Sequence, residues 1–422
     1  MKRIVVNLQP SLDGDLPVYF VEADGVDRAT KKIDLSEIAL LEGLRDVGKI
    51  GAAIAARLSE HDRVKNALAV ALTRRIEDPS LPIYFFIGVD TAVSLSWEAL
   101  REAQKYLALD PRWPIARFPR GGDTESATER AFASPLKVVS VISAVGVDGS
   151  AEWNSIFGAT RAAPAGLDIE LTVITGDEHV ADAARRDLAA ERVIMMPGAA
   201  DPESLVPRIA ALAPHILHVF CHGAVRDEQA VLELATVSDF DRGTSSVIVP
   251  AIELAHAAAR TGTWLAHLNT CRSAQATGEQ LTHAEEFVNT GVPVAIGMKR
   301  QINDTDAVAF SAMFYRSVYT RIAAILARGA GRHEMAWADT MVEARQKLRD
   351  MHVDDVAEAD AWTVPVMYTR RGTFTLDIAA PGQSENDLQR AISETTVIDG
   401  LADLLAIDAP EVAADLRAAA RR

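Results

Sequence analysis

Cysteine is nearly absent: Cys221 and Cys271 are the two in 422 residues. No disulfide framework can hold such a chain, and a reducing compartment is expected. Positive charge is short as well. Forty-three Lys and Arg stand against 59 Asp and Glu, a net charge of −16, which excludes a basic surface for nucleic acid. Long apolar runs are missing. The opening MKRIVVNLQP reaches Asn and Gln before any signal-type core, and no run is long enough for a bilayer. A cytoplasmic location without membrane contact is therefore expected. No GxxxxGK[ST] and no GxGxxG after a strand occurs, which disfavours an α/β nucleotide-binding protein. A repeat period is lacking too.

What remains is an ordinary globular composition, 49% hydrophobic and 24% charged, long enough for two or three folding units. RIVVNL, PVYFVEA, PIYFFIG and PIARFP are predicted strands, 35–75 is helical in spacing, and SWEALREAQ is predicted as a helix. These make an N-terminal α/β region, 1–120. GGDTESATER, from Gly121 to Arg130, has almost no core formers and predicts an exposed linker, 121–134. From 135 to 370 strands and helices alternate: LKVVSVIS, IELTVITG, RVIMMPG, ILHVFC, TWLAHLNT and PVAIGM are apolar enough to be covered on both faces. That alternation predicts a doubly wound, mostly parallel sheet. Between Ala224 and Val249 it is interrupted by a polar insertion with VLELATV and SSVIVP as hairpin strands, placed to act as a substrate-binding or activation loop. A tail, 371–422, carries the strand TFTLDIA and short helices.

The chemistry concentrates in two segments. HVFCHG ends in His222-Gly223 and LNTC ends in Cys271, each at the predicted tip of an apolar strand. Their separation, 271 − 222 = 49 residues, suits one strand–crossover–strand return. A parallel sheet gathers strand ends at one rim, where open α/β sheets hold reactive groups. The spacing also matches a histidine about 50 residues before a caspase-type nucleophile. Neighbouring Cys221 and His222 project to opposite strand faces, so Cys221 is expected in the core. That geometry, with no CxxC pair and no HExxH helix, disfavours zinc among His218, Cys221, His222 and Cys271.

The ordered set of segments resembles the CHAT family of caspase-like peptidases. SWEAL with Trp97-Glu98 is similar to its early Trp-Glu feature, HVFCHG to its histidine box and LNTCRSA to its cysteine box. GVPVAIGMKRQINDTDAVAFSAMFY, ADTMVEARQKL and WTVPVMY follow in the family's order, so that the resemblance covers Ile83 to Tyr368. It implies a caspase-like three-layer α/β/α sandwich, and a cysteine endopeptidase without metal or cofactor. It also implies His222 as base, Cys271 as nucleophile, and the Gly223 N–H with that of Cys271 as an oxyanion hole. Such peptidases often adjoin tetratricopeptide repeats. The resemblance thus implies a separately encoded activating partner and a role in bacterial defence or cell death.

The substrate is expected to be a protein or peptide. Asp304 and Asp306 follow PVAIGMKRQI in a turn near the same rim, and Asp227 lies in the insertion. Any of these carboxylates could select Arg or Lys before the scissile bond, although helix capping competes for Asp304 and Asp306. Arg120 and Arg242, in polar segments, are candidate self-cleavage sites. His218 is read as structural, and His267 and Asn269, though in strand parity with Cys271, as packing positions. The rival expectation is a catalytically idle scaffold that presents its N- and C-terminal additions to a protein partner.

Overall fold

The computed structural model describes residues 2–12, 16–120, 128–201, 204–227, 229–271, 279–355, 358–405 and 410–420. In the first 120 residues lie strands β1 (Ile4–Gln9), β2 (Val18–Glu22), β3 (Lys31–Lys32), β4 (Ile83–Ile87), β5 (Arg101–Glu102), β6 (Lys105–Tyr106) and β7 (Ile115–Phe118). Their helices are α1 (Ser36–Gly43), α2 (Val47–Ser59), α3 (Asp62–Leu72) and the short α4 (Asp90–Val93). Next come β8 (Thr128–Phe132), β9 (Leu136–Ser143), α5 (Gly149–Arg161), β10 (Ile169–Thr175), α6 (Glu178–Asp187), β11 (Val193–Met195) and α7 (Leu205–Leu212). The central stretch is β12 (Ile216–Arg226), β13 (Gln229–Leu234), α8 (Val237–Arg242), β14 (Val247–Pro250), α9 (Ala251–Arg260), β15 (Leu265–Cys271), α10 (Glu279–Asn289) and β16 (Val294–Met298). The chain closes with α11 (Asp304–Leu326), β17 (Gly331–Glu334), α12 (Met341–Met351), β18 (Pro365–Thr369), β19 (Phe374–Ile378), α13 (Glu385–Leu405) and α14 (Pro410–Ala420).

One sheet organises most of this, in the order β11-β10-β9-β12-β15-β16-β18-β7-β4-β1-β2-β3. From β11 to β16 every pairing is parallel. So is every pairing from β18 to β1. The two parallel blocks meet head to tail, because β16 and β18 pair antiparallel. The N-terminal strands therefore continue the same sheet, with β18 from the far end of the chain inserted between them and β16. Apolar, β-branched strands such as LKVVSVIS suit burial on both faces. On one face of the first block lie α5 and α11; on the other lies α10, packed against α9. Asp148, Asp177 and Asn303 start α5, α6 and α11 by accepting backbone N–H bonds in their first turns. The three-layer α/β/α reading holds.

Three local expectations are corrected. SWEALREAQ is not a helix: a 3-10 turn over Trp97–Ala99 leads into the β5–β6 hairpin, whose turn holds Ala103 at φ 51°. Tertiary burial overrides helix propensity there, since Trp97 is sealed in the core with its indole N–H on the Ala92 carbonyl. The polar segment after Arg120 is not linker throughout. Thr128–Phe132 forms β8, which pairs with β19, and β19 pairs with β17 in a separate small sheet; residues 121–127 lie outside the described residues. Third, β12 does not end at His222. Where β9 stops at Ser143, β13 takes over the vacated ladder and carries β12 on to Arg226.

Candidate active site

The ladder sets His222 between two neighbours. On one side its Cα partner is Cys271, the last residue of the parallel strand β15. On the other it is Glu233 of the antiparallel β13, which in turn registers with Ile248 of β14. The insertion thus forms two antiparallel strands, as its alternation predicts, and it places a carboxylate beside the histidine. His222 is half-buried, and its Nε2 lies 2.7 Å from the Val145 carbonyl in the loop after β9. A carbonyl can only accept, so that ring nitrogen carries a hydrogen and the neutral ring presents Nδ1 as its basic atom. The contact fixes both the tautomer and the ring's orientation.

Gly223 is buried and turns the opposite way. A Cβ there would touch His283 Cε1 at 3.4 Å and Thr270 at 3.6 Å, on the α10 side of the sheet. Cys221 shares that parity and is fully buried, as expected. Of Cys271 the backbone alone is described, and Arg272 and Ser273 lie outside the described residues.

A sealed polar network lies below His222 on its own side of the sheet. Glu152 Oε1 accepts from Asn269 Nδ2 at 3.1 Å and Ser311 Oγ at 2.7 Å. It also lies 3.1 Å from His218 Nε2, close enough for an ion pair but not aligned as a hydrogen bond. His218 Nδ1 contacts the Tyr315 hydroxyl at 2.9 Å and His267 Nδ1 at 3.3 Å. All six residues are fully buried. Glu152 Oε2, Asn269 Oδ1, His218 Nε2 and His267 Nε2 have no hydrogen-bond partner among the described residues. Burial, with the neighbouring His218, holds the His267 imidazole well below its ordinary pKa. Among the described residues, no group of three or more His, Cys, Asp or Glu side chains is gathered as a metal would need.

The acidic candidates fare differently. Asp306 is buried, with Oδ1 2.6 Å from His352 Nε2 and Oδ2 accepting from Asn303 Nδ2 at 2.8 Å. Both oxygens are engaged in tying the start of α11 to the end of α12, which gives this aspartate a structural task. Asp304 is the exposed first residue of α11, behind the capping Asn303. Asp227 sits at φ 49° in the exposed turn of the β12–β13 hairpin, five residues and roughly 16 Å of strand beyond His222. Arg242 closes the last turn of α8, and Arg120 is held by Glu285 Oε2 at 2.9 Å. Val145 and Glu233 were not readable beforehand. A backbone carbonyl has no signature in sequence, and Glu233 needed the register of β13.

The geometry is thus a three-layer, mostly parallel α/β/α sheet with a histidine and a cysteine in register on adjacent strands. A family model for the CHAT domain matches residues 67–331, more than half of the chain, and the chain belongs to that family. No curated protein matches it. Among solved structures, the Saccharomyces cerevisiae separase–securin complex is similar at 9% identity and a TM-score of 0.37, over 71% of this chain and 16% of that one. A likeness at that level carries no argument about chemistry. No helix among the described residues is long and apolar enough to cross a membrane.

Proposed function

We propose that the chain is a cysteine endopeptidase in which Cys271 is the nucleophile and His222 the general base. The observation that carries this reading is the register His222↔Cys271 across two parallel strands. Cross-strand partners share a face of a sheet. The Val145 contact supports it further: Nε2 gives its hydrogen to that carbonyl, so in the neutral ring Nδ1 is the nitrogen whose lone pair can take the thiol proton. The thiolate then attacks the scissile carbonyl carbon, and the resulting oxyanion is held by backbone N–H groups, those of Gly223 and Cys271 in this proposal. His222 returns the proton to the leaving amine, and water hydrolyses the thioester. No step asks for a metal or cofactor. The β13–β14 segment flanks the dyad on the side away from β15, where a partner protein could adjust it.

A peptidyl acyloxymethyl ketone tests the reading. Labelling of the wild-type chain should vanish in Cys271→Ala and fall roughly 100-fold or more in His222→Ala, with unfolding midpoints unchanged. Labelling that survives in Cys271→Ala would remove the nucleophile assignment. Absence of labelling with every peptide would leave the idle-scaffold reading in its place.

A further inference from the structure

We propose that Glu233 is the carboxylate that receives a basic substrate side chain, arginine or lysine, next to the scissile bond, and that Arg226 of the same chain occupies it before substrate arrives. This rests on the peptidase reading of the same site and names its substrate class.

Three observations lead there. First, Glu233 lies in the same row of the sheet as the dyad, since His222 registers with Cys271 on one side and Glu233 on the other. Neighbours in one row share a face about 5 Å apart, so Glu233 lies two spacings, roughly 10 Å, from Cys271. A carboxylate in that row is within reach of a long side chain on a peptide held at Cys271, and out of reach of a short one. Second, its state fits a binding group. Glu233 is 21% exposed, neither sealed in the core nor free in solvent. Its Oε1 accepts from Arg226 Nε at 3.0 Å and from the same guanidinium's terminal nitrogen. The other oxygen, Oε2, takes no hydrogen bond among the described residues.

Third, the occupant comes from outside. Arg226 follows His222 by four residues on the same strand, hence on the same face, and its side chain is 52% exposed. Its guanidinium reaches Glu233 from the solvent end of the strand. An ion pair this exposed holds weakly and exchanges readily. A substrate guanidinium would make the same charge-assisted bonds, while Arg226 swings into water. A planar fork suits the carboxylate better than an ammonium, so arginine should be preferred to lysine. The other carboxylates considered do not compete. Asp306 is fully engaged, and Asp227 lies at the hairpin tip.

The experiment uses the full chain and two fluorogenic peptides that differ only in Arg or Leu before the scissile bond. Wild type should favour Arg. In Glu233→Gln the Arg-to-Leu ratio of kcat/KM should fall roughly tenfold to a hundredfold, and Arg226→Ala should lower KM for the Arg peptide severalfold. Unfolding midpoints check that each variant is folded. An Arg-to-Leu ratio unmoved by Glu233→Gln overturns the proposal. Equal loss on both peptides overturns it too, and assigns the carboxylate to His222 instead. If wild type cleaves neither peptide and shows no Cys271-dependent ketone labelling, the peptidase reading falls and takes this with it. Labelling with an unmoved ratio sinks the Glu233 assignment alone.

Discussion

In the block of β18, β7, β4 and β1, one buried ion pair is closed on itself. Arg117, fully buried on β7, gives Nε to Glu98 Oε1 at 2.8 Å and a terminal nitrogen to Glu98 Oε2 at 2.6 Å. Two further hydrogens go to the carbonyls of Val93 at 2.6 Å and Leu95 at 2.8 Å. In the block of β9, β12, β15 and β16, the buried network of Glu152, His218, His267 and Asn269 leaves a carboxylate oxygen, an amide oxygen and two ring nitrogens without hydrogen-bond partners among the described residues. Both blocks use the same apolar strands between helices. Both also hold unsatisfied buried atoms, Asn7 Oδ1, Tyr368 Oη and Arg345 Nε among those of the first. They differ in the central carboxylate, since both oxygens of Glu98 are bonded by Arg117 while Glu152, beneath His222, has one oxygen unbonded. Satisfied networks rigidify and specify a core, whereas partly satisfied ones are held at a cost to stability.

The sharpest way to break that contrast is to remove one charge from each block. Burial alone would raise the Glu98 pKa, but the Arg117 charge and its hydrogen bonds bring it below the usual carboxylate range. Arg117→Met would strand that carboxylate in the core and should cost about 3–5 kcal/mol in urea unfolding. Adding Glu98→Leu should recover only part of the loss, since the fully buried Arg345 then loses the carboxylate that favours its charge. Glu152→Gln keeps an acceptor for Asn269 and Ser311, and should cost less than about 2 kcal/mol. Equal costs for Arg117→Met and Glu152→Gln would erase the distinction between the blocks.

Much of this layout was legible from residues. The apolar alternation from Leu136 to Met298 announces the parallel block, and HVFCHG and LNTC announce the pair that the ladder sets side by side. What stayed hidden depends on long-range register. That β12 runs past His222 follows from β9 ending at Ser143, which no local pattern states. The same extension is what places Glu233 beside the histidine. SWEALREAQ misleads because Trp97 and Leu100 have helical spacing, yet core burial there is met by a single 3-10 turn. The aspartates after β16 looked like one acidic turn. Capping by Asn303 separates them into an exposed Asp304 and a buried Asp306.

A smaller effect separates the blocks by pH. His267 is held neutral by burial and by His218 beside it, so its folded pKa is well below the unfolded value. Above about pH 6.5 the imidazole is neutral in both states and adds no pH dependence. Below that, the unfolded chain takes up a proton that the folded chain refuses, and stability falls as pH drops. The slope expected from this one group is roughly 1.4 kcal/mol per pH unit. His267→Phe, among the rings of Phe310, Phe314 and Tyr315, should remove that share. Urea midpoints at pH 7.5, 6 and 5 for both proteins measure it. An unchanged slope would mean that the buried imidazole takes a proton in place.

The smallest expected effect concerns Gly223. If this glycine made room for substrate, a methyl group there would block the site. Its Cβ direction, however, leads away from the His222 side, into ordinary contact with His283 and Thr270. Its φ is not among the positive values, so an L side chain strains nothing. Gly223→Ala also keeps the backbone N–H assigned to the oxyanion. Replacing a strand glycine reduces the entropy lost on folding. The variant should therefore stay within about 1 kcal/mol of wild type and hold kcat/KM within severalfold, whereas Gly223→Val should clash with His283 and unfold earlier. A hundredfold loss of kcat/KM in a stably folded Gly223→Ala would show that substrate passes over the α10 side of the sheet, and the site would have to be rebuilt on that face.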